Sequence, residues 1–188
     1  IAEKKSRLEK RVLYIGRLAI NQKRIDLLLD AWAFIMESYP DWQLDIVGSG
    51  PDELMLKEYC VKKQLKHVNF HGQQAPQGYY EQASILGLPS TYEGFPMSMV
   101  EGMSYGLVPV AFDSYAALKE LVVDQDNGLL APPFDVKAYA GQLSKLMGNR
   151  DKIKIMAERC IARSTAFEVS LISKQWADLL SGIDEKGE

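Results

Sequence analysis

The chain has 188 residues, 47% of them apolar and 25% charged, with a formal net charge of -3. That length and apolar content suit one domain with a real core and exclude a disordered tail. The charge excludes a polycationic nucleic-acid binder, and no apolar run approaches the roughly 18 residues of a membrane span. The chain opens IAEKKSRLEK, without Met and without the apolar stretch of a signal peptide, so an excised piece of something longer is expected. Cys60 and Cys160 lie far apart within helical patterns, which predicts reduced thiols in a cytoplasmic protein, not a disulfide or a zinc site.

Short apolar runs alternate with amphipathic stretches. The runs are Val12–Ile15, Leu44–Val47, Val68–Phe70, Ile85–Leu88, Val108–Phe112 and Gly128–Ala131. Most are too continuous for a half-exposed strand, which predicts strands buried on both faces, as in a parallel sheet. Ile25, Leu28, Leu29, Trp32, Ile35 and Met36 share one helical face. Val136, Tyr139, Ala140, Leu143, Leu146 and Met147 repeat those offsets, with Asp135 as the cap and Gly148 as the stop. Two further helices are expected at 151–163 and 168–181. Strand–helix alternation predicts a three-layer α/β/α fold around a parallel sheet of about six strands, with right-handed crossovers.

In an open parallel sheet, ligands bind beyond the carboxyl ends of the strands. Here those ends read Gly16-Arg17, Gly48-Ser49-Gly50-Pro51, His71-Gly72, Pro89-Ser90-Thr91-Tyr92-Glu93-Gly94 and Asp113-Ser114. Glycines, one arginine, hydroxyls and carboxylates on one edge make a polar crevice suited to phosphates and sugar hydroxyls. Two helix starts compete for the phosphates. The first turn after Gly50, Pro51-Asp52-Glu53, already carries carboxylates that would repel an anion. The turn after Phe95, Pro96-Met97-Ser98-Met99, has no acid, has Pro at an expected first helical position and follows Gly94. Its free amides are the better anion site. The Gly48-Ser49-Gly50 loop lacks the full dinucleotide fingerprint, which weighs against a nicotinamide enzyme.

Cations come from Arg17, at the end of the first strand, and Lys23, in the next loop or helix start. Arg forks two phosphate oxygens and Lys acts as a point charge; a solvated surface charge is the alternative for each. Glu93 and Glu101 are separated by the seven residues GFPMSMV. Glu93 falls in the loop and Glu101 about two turns into the helix, on the face that carries Met97. A carboxylate accepting two adjacent hydroxyls is a standard ribose grip, and ordinary helix-surface glutamates are the alternative.

This constellation resembles the donor-binding, C-terminal half of a family 4 (group 1) glycosyltransferase of the GT-B architecture, which is Rossmann-like. The likeness runs through five motifs in order: YIGRL…NQKRIDLLLDAW at 14–32, DIVGSGPDE at 45–53, FHG at 70–72, LPSTYEGFPMSMVEGMSYGLVPVAFD at 88–113 and DNGLLAPPFD at 126–135. The E-x7-E signature stands as Glu93 to Glu101. The resemblance implies that Arg17 and Lys23 bind the donor diphosphate and stabilise its charge as it leaves. It implies that the amides around Gly94, Phe95, Pro96 and Met97 cradle the distal phosphate. Glu93 would contact the transferred sugar and Glu101 the ribose hydroxyls. Gly16, Gly48, Gly50, His71, Gly72 and Ser90 would complete the donor pocket. Glu120 matches a family glutamate, and by position alone it is equally a helix-surface residue. Two departures stand out. Arg24 occupies a position that is often Gly, and DSYAALKE at 113–120 replaces a Pro- and Gly-rich turn, with Ala117 and Leu118 at the turn positions.

The resemblance also implies a retaining transfer of a sugar from a nucleoside diphosphate, UDP by expectation, to a glycan or lipid-linked acceptor hydroxyl. No cofactor or metal is expected, since neither His67 nor His71 has acids at ligand spacing. The expected partners are the nucleotide-sugar donor and a missing N-terminal acceptor domain in cis, with no nucleic acid. The expected location is cytoplasmic, with the parent enzyme allowed a peripheral place at the inner face of the membrane. The expected organisation is a linker or cut edge at 1–10, the donor domain at 11–167, a crossover helix at 168–183 with a partly exposed apolar face, and a frayed tail at 184–188. Two alternatives are a nucleotide-sugar epimerase of similar build, which calls for a second set of catalytic acids, and a non-catalytic α/β nucleotide-binding or interaction module. A receiver-like module would place an acidic cluster where Gly16 and Arg17 stand.

Overall fold

A computed structural model describes residues 9–184, with side chains as far as Ser181. The expected linker at 1–10 lies outside the described residues except for Glu9 and Lys10, and the expected tail lies outside them except for Asp184, which closes the last helix. Six strands form one sheet: β1 (Arg11–Ile15), β2 (Gln43–Val47), β3 (Val68–Gly72), β4 (Ile85–Leu88), β5 (Val108–Phe112) and β6 (Leu129–Ala131). Every pairing is parallel and the spatial order is β3-β2-β1-β4-β5-β6. The helices are α1 (Ile20–Lys23), α2 (Ile25–Ile35), α3 (Glu53–Lys62), α4 (Gln77–Gln82), α5 (Met97–Ser104), α6 (Ala117–Leu121), α7 (Val136–Met147), α8 (Arg150–Ser164) and α9 (Val169–Asp184).

Alternate residues of each strand enter opposite cores, as the pleat requires. Val12, Tyr14, Leu44, Ile46, Ile85 and Val110 pack with Leu28, Trp32, Tyr139 and Leu143 of α2 and α7. Leu13, Val47, Leu86, Leu88 and Ala111 pack with Tyr80, Met99, Met103 and Leu118 of α4, α5 and α6. The sheet is thus the middle layer of three, which is why most of its strands read as apolar runs; the edge strand β3 is only half-buried and carries Asn69 and His71. The carboxyl group of Asp135 accepts from the Ala138 amide at 2.9 Å and caps α7. On α9, Trp176 is 60% exposed, and Val169, Leu179 and Leu180 are exposed with it. Ala117 and Leu118 begin α6, with Leu118 and Leu121 buried in the second core.

The sheet order fixes where a ligand can enter. From β1 the chain moves outward to β2 and β3, then returns across the sheet to place β4 on the other side of β1. Loops leaving β1 and β4 therefore diverge and open a crevice at their carboxyl ends. Among the described residues no helix is long and apolar enough to cross a membrane.

Candidate functional site

The floor of the crevice is backbone. The Gly16 amide donates to the Val47 carbonyl at 3.0 Å, Leu18 to Ser49 at 2.9 Å, and Gly48 to Gly72 at 2.8 Å. Two glycines allow this closeness. A Cβ on Gly48, where φ is +135°, would lie 1.9 Å from the Gly16 carbonyl oxygen, and one on Gly50 would lie 2.2 Å from that of Leu18. The glycine spacing of this loop thus serves contact between the β1 and β2 loops. Asp52, read from sequence as an acid that complements its own helix, accepts from the Ile20 amide at 2.8 Å and anchors the start of α1. Arg17, Gly16, Gly48, Ser49, Gln73 and Gln74 line an open cleft of about 320 Å³. The Arg17 carbonyl accepts from the Tyr14 hydroxyl at 2.8 Å, while its guanidinium is exposed and joins no ion pair among the described residues.

Lys23 is the last residue of α1, and this short helix is tied to the loop after β4. The Thr91 amide and hydroxyl both donate to the Gln22 carbonyl at 2.8 Å, and the Gln22 side chain donates to the Tyr92 carbonyl at 3.3 Å. This brings Lys23 onto Glu93, with Nζ 2.6 Å from Oε1 and 2.9 Å from Oε2. The pair is mostly shielded, Lys23 being 21% exposed and Glu93 10%. Burial, then the Glu93 carboxylate, pushes the Tyr14 and Tyr115 phenols well above their ordinary value, so both stay protonated around the pair. Ser90 is buried, with its carbonyl accepting from the Ser114 hydroxyl at 2.8 Å; its own Oγ and the Tyr115 hydroxyl have no hydrogen-bond partner among the described residues.

Beyond Glu93 the chain enters α5. Pro96, expected at the first helical position, is instead the cap residue, with ψ at 80°, and Met97 begins the helix. The Met97 amide is spent on the Phe95 carbonyl at 3.0 Å, because the chain turns sharply around the buried Pro96. The open amides are therefore those of Gly94, Phe95 and Ser98, which make no hydrogen bond among the described residues. Phe95 and Met97 are exposed, with the Phe95 ring against Phe167 at 5.5 Å. Glu101 sits on the second turn of α5, exposed, and accepts from the Tyr80 hydroxyl at 2.9 Å. The two glutamates of the E-x7-E signature are thus held by different elements, Glu93 by α1 and Glu101 by α4. Glu120 is exposed on α6, and its carbonyl accepts from Arg163.

His71 differs from the sequence expectation that it lacks an acidic partner. The pairing of β2 with β3 skips one residue, Ile46 facing Phe70 and Val47 facing Gly72, so His71 is bulged. Its Nε2 lies 2.8 Å from Asp45 Oδ1, and its ring packs on Tyr79 at 4.8 Å. Asp45 is 2% exposed and also accepts from Arg11 at 2.8 Å and Asn69 at 3.1 Å. Burial raises its pKa, but the bonds from His71, Arg11 and Asn69 together hold the carboxyl below its ordinary value. Sequence reading missed Asp45 and Tyr80. The signal for Asp45 was available: a carboxylate inside an apolar strand needs a buried partner.

The family model for group 1 glycosyl transferases matches residues 2–165. The chain belongs to the group 1 glycosyltransferases. This glycosyltransferase chain is 33% identical over 173 residues to an uncharacterized glycosyltransferase of Haemophilus influenzae, a match covering 91% of this chain and 49% of that protein. It is 29% identical over 180 residues to the amylovoran biosynthesis glycosyltransferase AmsD of Erwinia amylovora, covering 94% and 49% respectively. Among solved structures it is similar to the Anabaena protein Alr3699/HepE, solved in complex with UDP and glucose, with a TM-score of 0.81 and 27% identity over 93% of this chain and 48% of that one. The chain spans about half the length of these curated relatives.

Proposed function

We propose that this chain is the donor-binding half of a retaining glycosyltransferase that moves a sugar from a UDP-linked donor to a glycan or lipid-linked acceptor hydroxyl. The observation that carries the reading is the meeting of Lys23 and Glu93 where the carboxyl ends of β1 and β4 diverge, with Arg17 following β1 on the same edge of the sheet. The diphosphate would lie between the Arg17 guanidinium, the Lys23 ammonium and the open amides of Gly94, Phe95 and Ser98. Fixed donors in a shielded site stabilise the charge that grows on a leaving diphosphate, with no metal called upon. Glu93 would then face the sugar and Glu101 the ribose. UDP and glucose in the similar Anabaena protein support the donor class, and the amylovoran relative supports polysaccharide as the product. The acceptor would be held by a second domain in cis, with transfer in the cytoplasm or at the inner face of the membrane.

Calorimetric titration of the chain with UDP, GDP and ADP, and with the matching nucleosides, tests the reading. The expected result is that diphosphates bind and nucleosides bind far more weakly. Affinity that is indifferent to phosphate would refute it.

A further inference from the structure

Glu101 is an exposed glutamate on the second turn of α5, and an exposed side chain of this length samples several rotamers. A ribose grip needs one of them. Its carboxylate is met by the Tyr80 hydroxyl at 2.9 Å, and Tyr80 is itself buried. Its ring is 2% exposed and stacks on Tyr105 at 5.5 Å with an interplanar angle of 26°. Tyr105 caps the same helix that carries Glu101. The residue after Glu101 is Gly102, where a Cβ would stand 3.0 Å from Leu86 Cδ2 and 3.7 Å from Tyr80 Cε1, so the helix can lie close to the tyrosine. Burial, with the Glu101 carboxylate adding to it, raises the Tyr80 phenol above its ordinary value and keeps it a donor.

We propose that Tyr80 is a positioning residue: its hydroxyl holds the Glu101 carboxylate in the rotamer that accepts both ribose hydroxyls of the donor nucleotide. The proposal rests on the assignment of Glu101 to the ribose. A carboxylate has about four lone-pair sites. Tyr80 fills one of them on Oε2 and leaves sites on both oxygens for the two hydroxyls. Tyr80 does not touch the donor; it reduces the ordering cost that Glu101 would otherwise bear on binding.

The test is calorimetric titration of the 188-residue chain as wild type, Tyr80→Phe, Glu101→Gln and the double variant. The ligands are the uridine, guanosine, adenosine and cytidine diphosphates, followed by the 2′-deoxy form of the tightest binder. Wild type is expected to prefer the ribose form. Tyr80→Phe should weaken it roughly three- to tenfold, the worth of one ordinary hydrogen bond, while leaving the 2′-deoxy form within about twofold. Glu101→Gln should remove the preference, and Tyr80→Phe should add almost nothing in that background. In wild type, the ring-carbon NMR shift of Tyr80 next to the hydroxyl should move further with the ribose form than with the 2′-deoxy form, which keeps only the 3′-hydroxyl, a readout independent of any variant. A merely structural tyrosine would weaken both ligands alike. Should Glu101→Gln remove the preference while Tyr80→Phe leaves it intact, the role of Tyr80 is overturned and the ribose assignment stands. Should wild type ignore the 2′-hydroxyl, or bind none of the four diphosphates, the ribose assignment falls and the proposal with it.

Discussion

Glu93→Gln is expected to tighten the binding of a sugar-free nucleoside diphosphate. In the free chain Lys23 Nζ is chelated by both Glu93 oxygens at 2.6 and 2.9 Å, so the positive charge proposed to meet the diphosphate is neutralised in advance. A phosphate on the far side of that ammonium would sit about 6 Å from the carboxylate, and two unit charges at that distance repel by roughly 3 kcal/mol at an effective dielectric of about 20. Partial exposure of both side chains lowers this, leaving about 1–2 kcal/mol, or roughly 5- to 30-fold in affinity. Glutamine keeps the shape and removes the charge. The sugar nucleotide should respond differently, since the hydroxyl contact assigned to Glu93 is weakened as the repulsion is relieved. The discriminating quantity is therefore the ratio of the two dissociation constants, measured by calorimetry at low salt for wild type and variant. In wild type the sugar is expected to help binding; in Glu93→Gln it should help less while the bare diphosphate binds more tightly. An unchanged or weakened affinity for the bare diphosphate would refute the reasoning, because Lys23 would then not be shared between Glu93 and an anion.

The same geometry sets three further outcomes. Arg17→Ala should weaken nucleoside diphosphate by about 1.5–3 kcal/mol and leave melting temperature unchanged, since this exposed guanidinium makes no ion pair within the described chain; calorimetry and a thermal melt check both halves. Asp45→Asn should destabilise the fold by about 1–3 kcal/mol at neutral pH, because the buried acceptor shared by Arg11, His71 and Asn69 loses its charge while the part-exposed Arg11 keeps Glu9. The pH dependence has a definite sign. The folded Asp45 carboxyl titrates below its ordinary value of 3.8, so its contribution is fully present above that value and is lost as pH falls through the folded one; urea melts from neutral pH down into the acid range should show wild type losing this increment, and the variant having none to lose. Gly48→Ala should cost about 2–4 kcal/mol through strain and overpacking against the Gly16 carbonyl, read as a fall in the denaturant midpoint.

Much of the architecture was legible in the sequence because burial on both faces leaves an apolar run, as in β1, β4 and β5, while the half-buried edge strand β3 was marked only by Val68 and Phe70. The candidate residues' placement at strand ends was legible for the same reason, as polar and glycine residues that come after such a run. What was not legible depends on pairing across the sheet. The order that sets β4 beside β1 brings Lys23 to Glu93, 70 positions apart, and no local pattern encodes that. Asp45 was hidden in the apolar run Leu44–Val47, because its neutralising partners lie on β1 and β3. Pro96 was misplaced by one step, since a proline suits either the cap or the first turn and the buried packing of its ring decides. Ala117–Leu121 forms a helix because two leucines one turn apart, Leu118 and Leu121, are buried in the core.

The central claim is that a nucleoside diphosphate binds where β1 and β4 diverge. Backbone amide NMR of the isotopically labelled chain, titrated with UDP, tests it most directly. Shifts are predicted to concentrate at Gly16, Arg17, Lys23, Gly94, Phe95, Ser98 and Glu101, and to be absent at Gly94, Phe95 and Ser98 when uridine replaces UDP. Shifts centred elsewhere, for example on α3 or along the exposed face of α9, or identical shifts with uridine and UDP, would contradict it.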